Sequence, residues 1–135
     1  MDLYREEILE HWQNPLNFGV MKNADLVIDQ VNPLCGDEVR FFFKFTKTNG
    51  EKPSYAKALE GKRIVDVSFV AKGCAISVAS CSMLSEFIKK KKISFVAKIT
   101  GQDVLELIGG PVSPARLKCA LLALEALRQA QGKLK

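Results

Sequence analysis

The sequence has no uninterrupted apolar stretch near the roughly 18 residues that cross a bilayer. Its opening, MDLYREEILEHW, is acidic and polar where a secretory signal is basic and then apolar. Together these absences predict a soluble, cytoplasmic protein with no membrane partner. No internal repeat, linker or shift in composition divides the 135 residues, so a single domain spanning 1–135 is expected. A chain of this size buries about two-thirds of its unfolded surface and forms a core without staples. Hydrophobic residues at 47% and charged residues at 26% exclude disorder and collagen-like repeats.

A strong charge imbalance is also lacking. Twenty Lys and Arg against 15 Asp and Glu leave a net charge of +5, much of it in the run Lys89–Lys92. Such a run suits the C-terminal end of a helix, where cations meet the negative pole of the helix dipole. No aromatic stripe interleaves with the basic residues, so stacking on single strands is unsupported and no nucleic-acid partner is expected.

Close cysteine pairs are missing as well. Cys35, Cys74, Cys81 and Cys119 lie far apart, unlike the CxxC pairs of zinc fingers. In a cytoplasmic chain disulfides are disfavoured, and metal binding or catalysis is the better reading of reactive thiols. Any shared site must be assembled by the fold from separate segments.

The hydrophobic pattern supplies those segments. Leu3, Ile8, Leu9 and Trp12 share one face of an opening helix that Asn14-Pro15 stops. A short strand is expected around Leu26-Val27-Ile28 and a longer one over Glu38–Thr46, rich in aromatic and β-branched residues. A loop containing the turn signal Asn49-Gly50 follows, then the alternating strand Ile64–Ala71. Lys72-Gly73 breaks that strand, and a helix opens at about Cys74 and runs to the lysines. Gly101-Gln102-Asp103 caps a short helix that ends at Gly109-Gly110, and Pro114 opens a last helix to about Gln131. This order predicts an α+β fold: a small, mostly antiparallel β-sheet with helices packed on one side.

Three of the cysteines sit where chemistry is commonly presented. Cys35 lies in the turn Asn32-Pro33-Leu34-Cys35-Gly36-Asp37, whose proline and glycine suit a tight loop. In extended backbone, residues i and i+2 point the same way, so Cys35 and Asp37 can converge on one cation. Cys74 begins a helix, where the positive pole favours a thiolate. Cys119 lies in the last helix beside Arg116 and Lys118, which favour the thiolate too. Cys81 is seven residues beyond Cys74 on one helix, about 10 Å along its axis. Two sulfurs on one zinc are only about 4 Å apart, so Cys81 reads as a core thiol. His11, the single histidine, reads as a packing or surface residue, with contact to a partner as the alternative. By chemistry alone, Cys35, Asp37, Cys74 and Cys119 form a Cys3Asp site for zinc or an iron–sulfur unit, or else remain independent.

Four blocks carry a resemblance across nearly the whole chain: YREEILEHWQNPLNFG, NPLCGDEV, GCAISVASCSMLSE and PARLKCALLALEAL. In this order they resemble the U-type iron–sulfur cluster assembly proteins, the IscU, SufU and N-terminal NifU family. That resemblance implies Cys35, Asp37, Cys74 and Cys119 as ligands of Zn²⁺ or of a transient [2Fe–2S] cluster. It implies a cysteine desulfurase as sulfur donor and apo iron–sulfur proteins as recipients. Cys35 and Cys119 are the candidate persulfide acceptors, with Cys35 favoured because a glycine-flanked loop moves more easily than a helix turn. Asp37, a hard oxygen donor in a soft site, is expected to keep a bound cluster labile.

Position 118 separates two branches of that family. The IscU branch has a histidine before the third cysteine, whereas this chain has Lys118, which has no lone pair to give while protonated. PARLKC resembles the SufU branch, the zinc-dependent sulfur acceptors. SufU proteins carry an extra segment before the final helix, and the 14 positions from Gly101 to Pro114 leave little room for it. The resemblance thus implies a cluster scaffold, with a zinc-dependent sulfurtransferase as the alternative.

Overall fold

A computed structural model describes residues 3–32, 36–45, 63–109 and 114–134. Cys35, the Asn49-Gly50 turn and Gly110 lie outside the described residues. The elements run α1 (Leu3–Gln13), β1 (Leu26–Asn32), β2 (Asp37–Phe45), β3 (Ile64–Lys72), α2 (Ala75–Ile88), α3 (Ile93–Val96), α4 (Gly101–Ile108) and α5 (Pro114–Leu134).

The three strands form one antiparallel sheet in the order β1-β2-β3. Period-two alternation on β2 sends Val39, Phe41, Phe43 and Phe45 into the core and leaves Glu38 and Arg40 exposed. Ile28, Phe41 and Phe69 stand opposite one another across the three strands, and each is fully buried. The free edge of β3 is covered by the loop after α1. There Asn17 O accepts from Phe69 N–H at 3.0 Å, and Gly19 N–H donates to Phe69 O at 2.8 Å. Asn17 and Gly19 take positive φ values of 61° and 144°, conformations open to asparagine and glycine at modest cost.

On the core side, α2 packs against β3, α1 and α5, while α5 packs against β1 and β2. Serines on α2 tie down the N-terminal segment. Ser82 Oγ accepts Leu16 N–H at 2.8 Å and lies 2.7 Å from His11 Nδ1, and Ser85 Oγ accepts from Asn17 Nδ2 at 3.0 Å. His11 is thus a packing residue that joins α1 to α2.

The sheet and helices follow the sequence pattern, with differences at the ends. β1 continues to Asn32 because Gln30, Val31 and Asn32 pair with Val39, Glu38 and Asp37. Thr100, rather than the Gly101-Gln102-Asp103 triplet, caps α4 in a reciprocal box: Asp103 N–H donates to Thr100 Oγ1, and Thr100 N–H to Asp103 Oδ2. The single turn α3 was not expected from the pattern, and α5 extends past Gln131. Among the described residues, no helix is long and apolar enough to cross a membrane.

Candidate metal centre

Sheet register begins the assembly of the site. Glu38 stands opposite Lys72 on the β2–β3 ladder, which brings Asp37 alongside Gly73 and Cys74 where β3 gives way to α2. The close approach requires glycine: a Cβ on Gly73 would lie 2.5 Å from Asp37 Oδ1 and 2.7 Å from Cγ. Cys74 is the N-cap of α2, in extended conformation. The packing of α5 on α2 adds Cys119 from the other side.

One donor atom from each of Asp37, Cys74 and Cys119 lies within 4.8 Å of the others. Cys74 Sγ is 3.7 Å from Asp37 Oδ2, and Cys74 N–H donates to Asp37 Oδ1 at 3.2 Å. Ser77 Oγ donates to Asp37 Oδ2 at 2.6 Å and lies 3.6 Å from Cys74 Sγ and 3.5 Å from Cys119 O. Asp37, Ser77 and Cys119 are buried, and Cys74 is half-buried.

The electrostatics favour ionised donors. Burial pushes the Asp37 carboxyl up, but donation by Ser77, Cys119 and the Cys74 amide and thiol outweighs it, holding the group below its ordinary 3.8. Burial likewise pushes the Cys74 thiol up. The Ser77 amide and hydroxyl and the Cys119 thiol overcome that effect and the repulsion from Asp37, so the thiol falls below its ordinary 9.0. The sulfur completes no capping hydrogen bond, so the amide acts on it as a nearby dipole. Cys81, fully buried in the core, has its thiol pushed far up by desolvation. It is a chemically quiet hydrophobe.

This donor set suits a thiophilic cation. Sulfur lies about 2.3 Å and carboxylate oxygen about 2.0 Å from a tetrahedral zinc, which puts the two roughly 3.5 Å apart. The 3.7 Å between Cys74 Sγ and Asp37 Oδ2 is close to that spacing. Three of the four residues expected as ligands therefore converge, and the fourth, Cys35, lies outside the described residues. Lys118 is exposed and lines a surface cleft with Gln30, Val31, Asn32 and Leu121, between β1 and α5.

Sequence reading missed Ser77 and the need for Gly73. Ser77 stands three residues after Cys74, one turn along the same helix face, and that spacing was its only signal. Gly73 read as a strand breaker, whereas its role is clearance for a carboxylate from another strand. Gly73→Ala should turn Asp37 out of the donor set and weaken zinc binding by about 10-fold or more, an effect on the scale of lost ligand support. Competition with a chromogenic chelator measures it; unchanged affinity would show that Asp37 is dispensable.

Comparison with known proteins gives a consistent family. The model of the NifU-like N-terminal domain matches residues 3–135. The zinc-dependent sulfurtransferase SufU of Bacillus subtilis (strain 168) is 34% identical over 148 aligned positions, covering 97% of this chain and 90% of that protein. The iron-sulfur cluster assembly scaffold protein IscU of Aquifex aeolicus (strain VF5) is 35% identical over 127 positions, covering 94% and 73%. The crystal structure of FiSufU from the thermophile Fervidobacterium islandicum AW-1 superposes with a TM-score of 0.72 at 29% identity, covering 96% of this chain and 95% of that one. With a family model that spans almost every residue and a fold that superposes on a SufU crystal structure, this chain belongs to the NifU-like N-terminal domain family.

Proposed function

We propose that this protein is an iron–sulfur cluster assembly scaffold, acting through residues 1–135 as one domain. It receives sulfur from a cysteine desulfurase and passes a transient [2Fe–2S] cluster to apo-proteins. The observation that carries this reading is the convergence of Asp37, Cys74 and Cys119 donor atoms within 4.8 Å. Cys35 is assigned as the fourth ligand from its place two residues before Asp37. The cluster is cargo: iron and sulfur enter and leave. A bound Zn²⁺ would keep the thiols deprotonated at neutral pH.

Sulfur enters by exchange at a thiolate. Cys35 or Cys119 sulfur attacks the terminal sulfur of the donor's persulfide, a new S–S bond forms, the old one breaks, and the donor's cysteine leaves as thiolate. The full burial of Cys119 supports Cys35 as the first acceptor. Asp37 is the exchangeable oxygen ligand in a set of soft sulfurs, which favours release of the cluster.

One observation favours the second reading, a zinc-dependent sulfurtransferase: an exposed Lys118 stands before Cys119, where a histidine would offer a nitrogen donor. Length favours the scaffold. The alignment with SufU runs to 148 positions, more than the residues of this chain, so SufU has residues with no counterpart here. The alignment with IscU needs only 127. Anaerobic reconstitution with ferrous iron, cysteine and a desulfurase decides between them. A scaffold yields a visible-absorbing cluster that moves intact to an apo-ferredoxin. Retained zinc with no cluster and faster desulfurase turnover indicates a relay. Cys35→Ser should abolish persulfide uptake in either case.

A further inference from the structure

The geometry points to Ser77 as a positioning residue that holds Asp37 in ligating orientation, and so sets how tightly the centre retains its metal. This inference rests on Asp37, Cys74 and Cys119 being the ligands, and it concerns a residue that supplies no ligand atom of its own.

A serine hydroxyl has one proton to give. At 2.6 Å Asp37 Oδ2 is its nearest acceptor, ahead of Cys119 O at 3.5 Å and of Cys74 Sγ, which lies 3.6 Å away as a secondary sulfur contact. Asp37 Oδ1 meanwhile accepts Cys74 N–H at 3.2 Å. Both carboxylate oxygens are therefore gripped by donors at the start of α2, although Asp37 belongs to β2. The torsion that turns a carboxylate is broad and nearly two-fold, so without these donors its plane would be poorly fixed. Fixed as it is, Oδ2 stands 3.7 Å from Cys74 Sγ, near the separation of two ligands on one tetrahedral ion.

The same oxygen can serve both partners, because a carboxylate oxygen has two lone-pair sites. Ser77 can keep its bond on one while the other faces the cation. Only 2% of Ser77 is exposed, so water does not readily replace the hydroxyl if it is removed. The bond is also charge-assisted, stronger than one between neutral groups. Outer donors of this kind commonly change metal affinity by about 10–100-fold.

A double-mutant cycle on zinc affinity, read by chelator competition on the full chain, separates positioning from packing. Ser77→Ala should raise the zinc dissociation constant about 10–100-fold. Adding Ser77→Ala to Asp37→Ala should change it by less than about twofold, because Ser77 then has no carboxylate to hold. Ser77→Thr keeps the hydroxyl and should stay within about threefold of wild type, far short of the loss expected for alanine. Wild-type affinity in Ser77→Ala overturns the assignment, as does an equal loss on the Asp37→Ala background or a threonine variant as weak as alanine. A lower melting temperature of the zinc-free Ser77→Ala protein with unchanged affinity marks a packing role and overturns it too. If Asp37→Ala itself binds zinc as tightly as wild type, the ligand set is wrong and the role of Ser77 falls with it.

Discussion

With Cys74 and Cys119 as ligands in the proposed centre, replacing either by alanine should lower zinc affinity by roughly 10²- to 10³-fold. A four-ligand zinc site is worth about 10–16 kcal/mol, so one thiolate carries on the order of a quarter of it, about 2.5–4 kcal/mol. At about 1.4 kcal/mol per tenfold, that is two to three decades in the dissociation constant. The two variants should differ in what else they do. Cys119 is fully buried in the interior of α5, between helix and sheet, so its loss also leaves a small cavity. Cys74 is half-buried at the tip of α2, and its loss should leave the melting temperature of the zinc-free protein nearly unchanged. Cys81→Ala serves as the control: fully buried and outside the donor set, it should cost stability and leave zinc affinity alone. Chelator competition and thermal melts in the presence of excess chelator separate the two effects. Affinity within threefold of wild type for Cys74→Ala would remove it from the ligand set.

Phe41→Ala should destabilise the fold by about 3–5 kcal/mol, the usual cost of emptying a buried aromatic site. Phe41 is fully buried on the central strand, 5.7 Å ring to ring from Phe69 and 5.8 Å from Phe43. Its ring is surrounded on the core face, so the neighbours have little freedom to collapse into the space. Total stabilities of domains are only about 5–15 kcal/mol, so this single change removes a large part. For a chain of this length the melting temperature should fall by roughly 10–20 °C. Phe18 makes an edge-on contact with Phe69 at 5.5 Å but is half exposed, so Phe18→Ala should cost much less. An equal loss for both would mean that the sheet face, rather than the central core, limits stability. Because Asp37 opens the strand that holds Phe41, the weakened sheet should also loosen the metal centre, and zinc should partly restore the melting temperature by binding only the folded form.

Much of this architecture is legible in the chain because local chemistry is read locally. Period-two alternation in Ile64–Ala71 and the aromatic run before Thr46 mark strands, and Pro114 marks a helix start within its own few residues. Cys74 follows from Gly73 in the same way: a strand breaker, then a helix N-terminus that favours thiolate. The identity of the inert thiol was equally accessible, since seven residues along one helix cannot bring Cys81 to the donor cluster that contains Cys74.

The sequence alone therefore determined the three strands and the longer helices apart from their ends, the family resemblance and which side chains are chemically suited to hold a metal, since each depends on residue type and short spacing. Tertiary structure decided their geometry. Asp37 meets Cys74 only because the β2–β3 register places Glu38 opposite Lys72, and a slip of one residue would turn the carboxylate to the other face. Cys119 joins them through the packing of α5 on α2, 45 residues beyond Cys74. Ser77 gained its importance, and Gly73 its necessity, from a carboxylate some 36–40 residues away, gripped by one and given room by the other. Such contacts arise from long-range pairing and close packing, which no local window of the chain encodes.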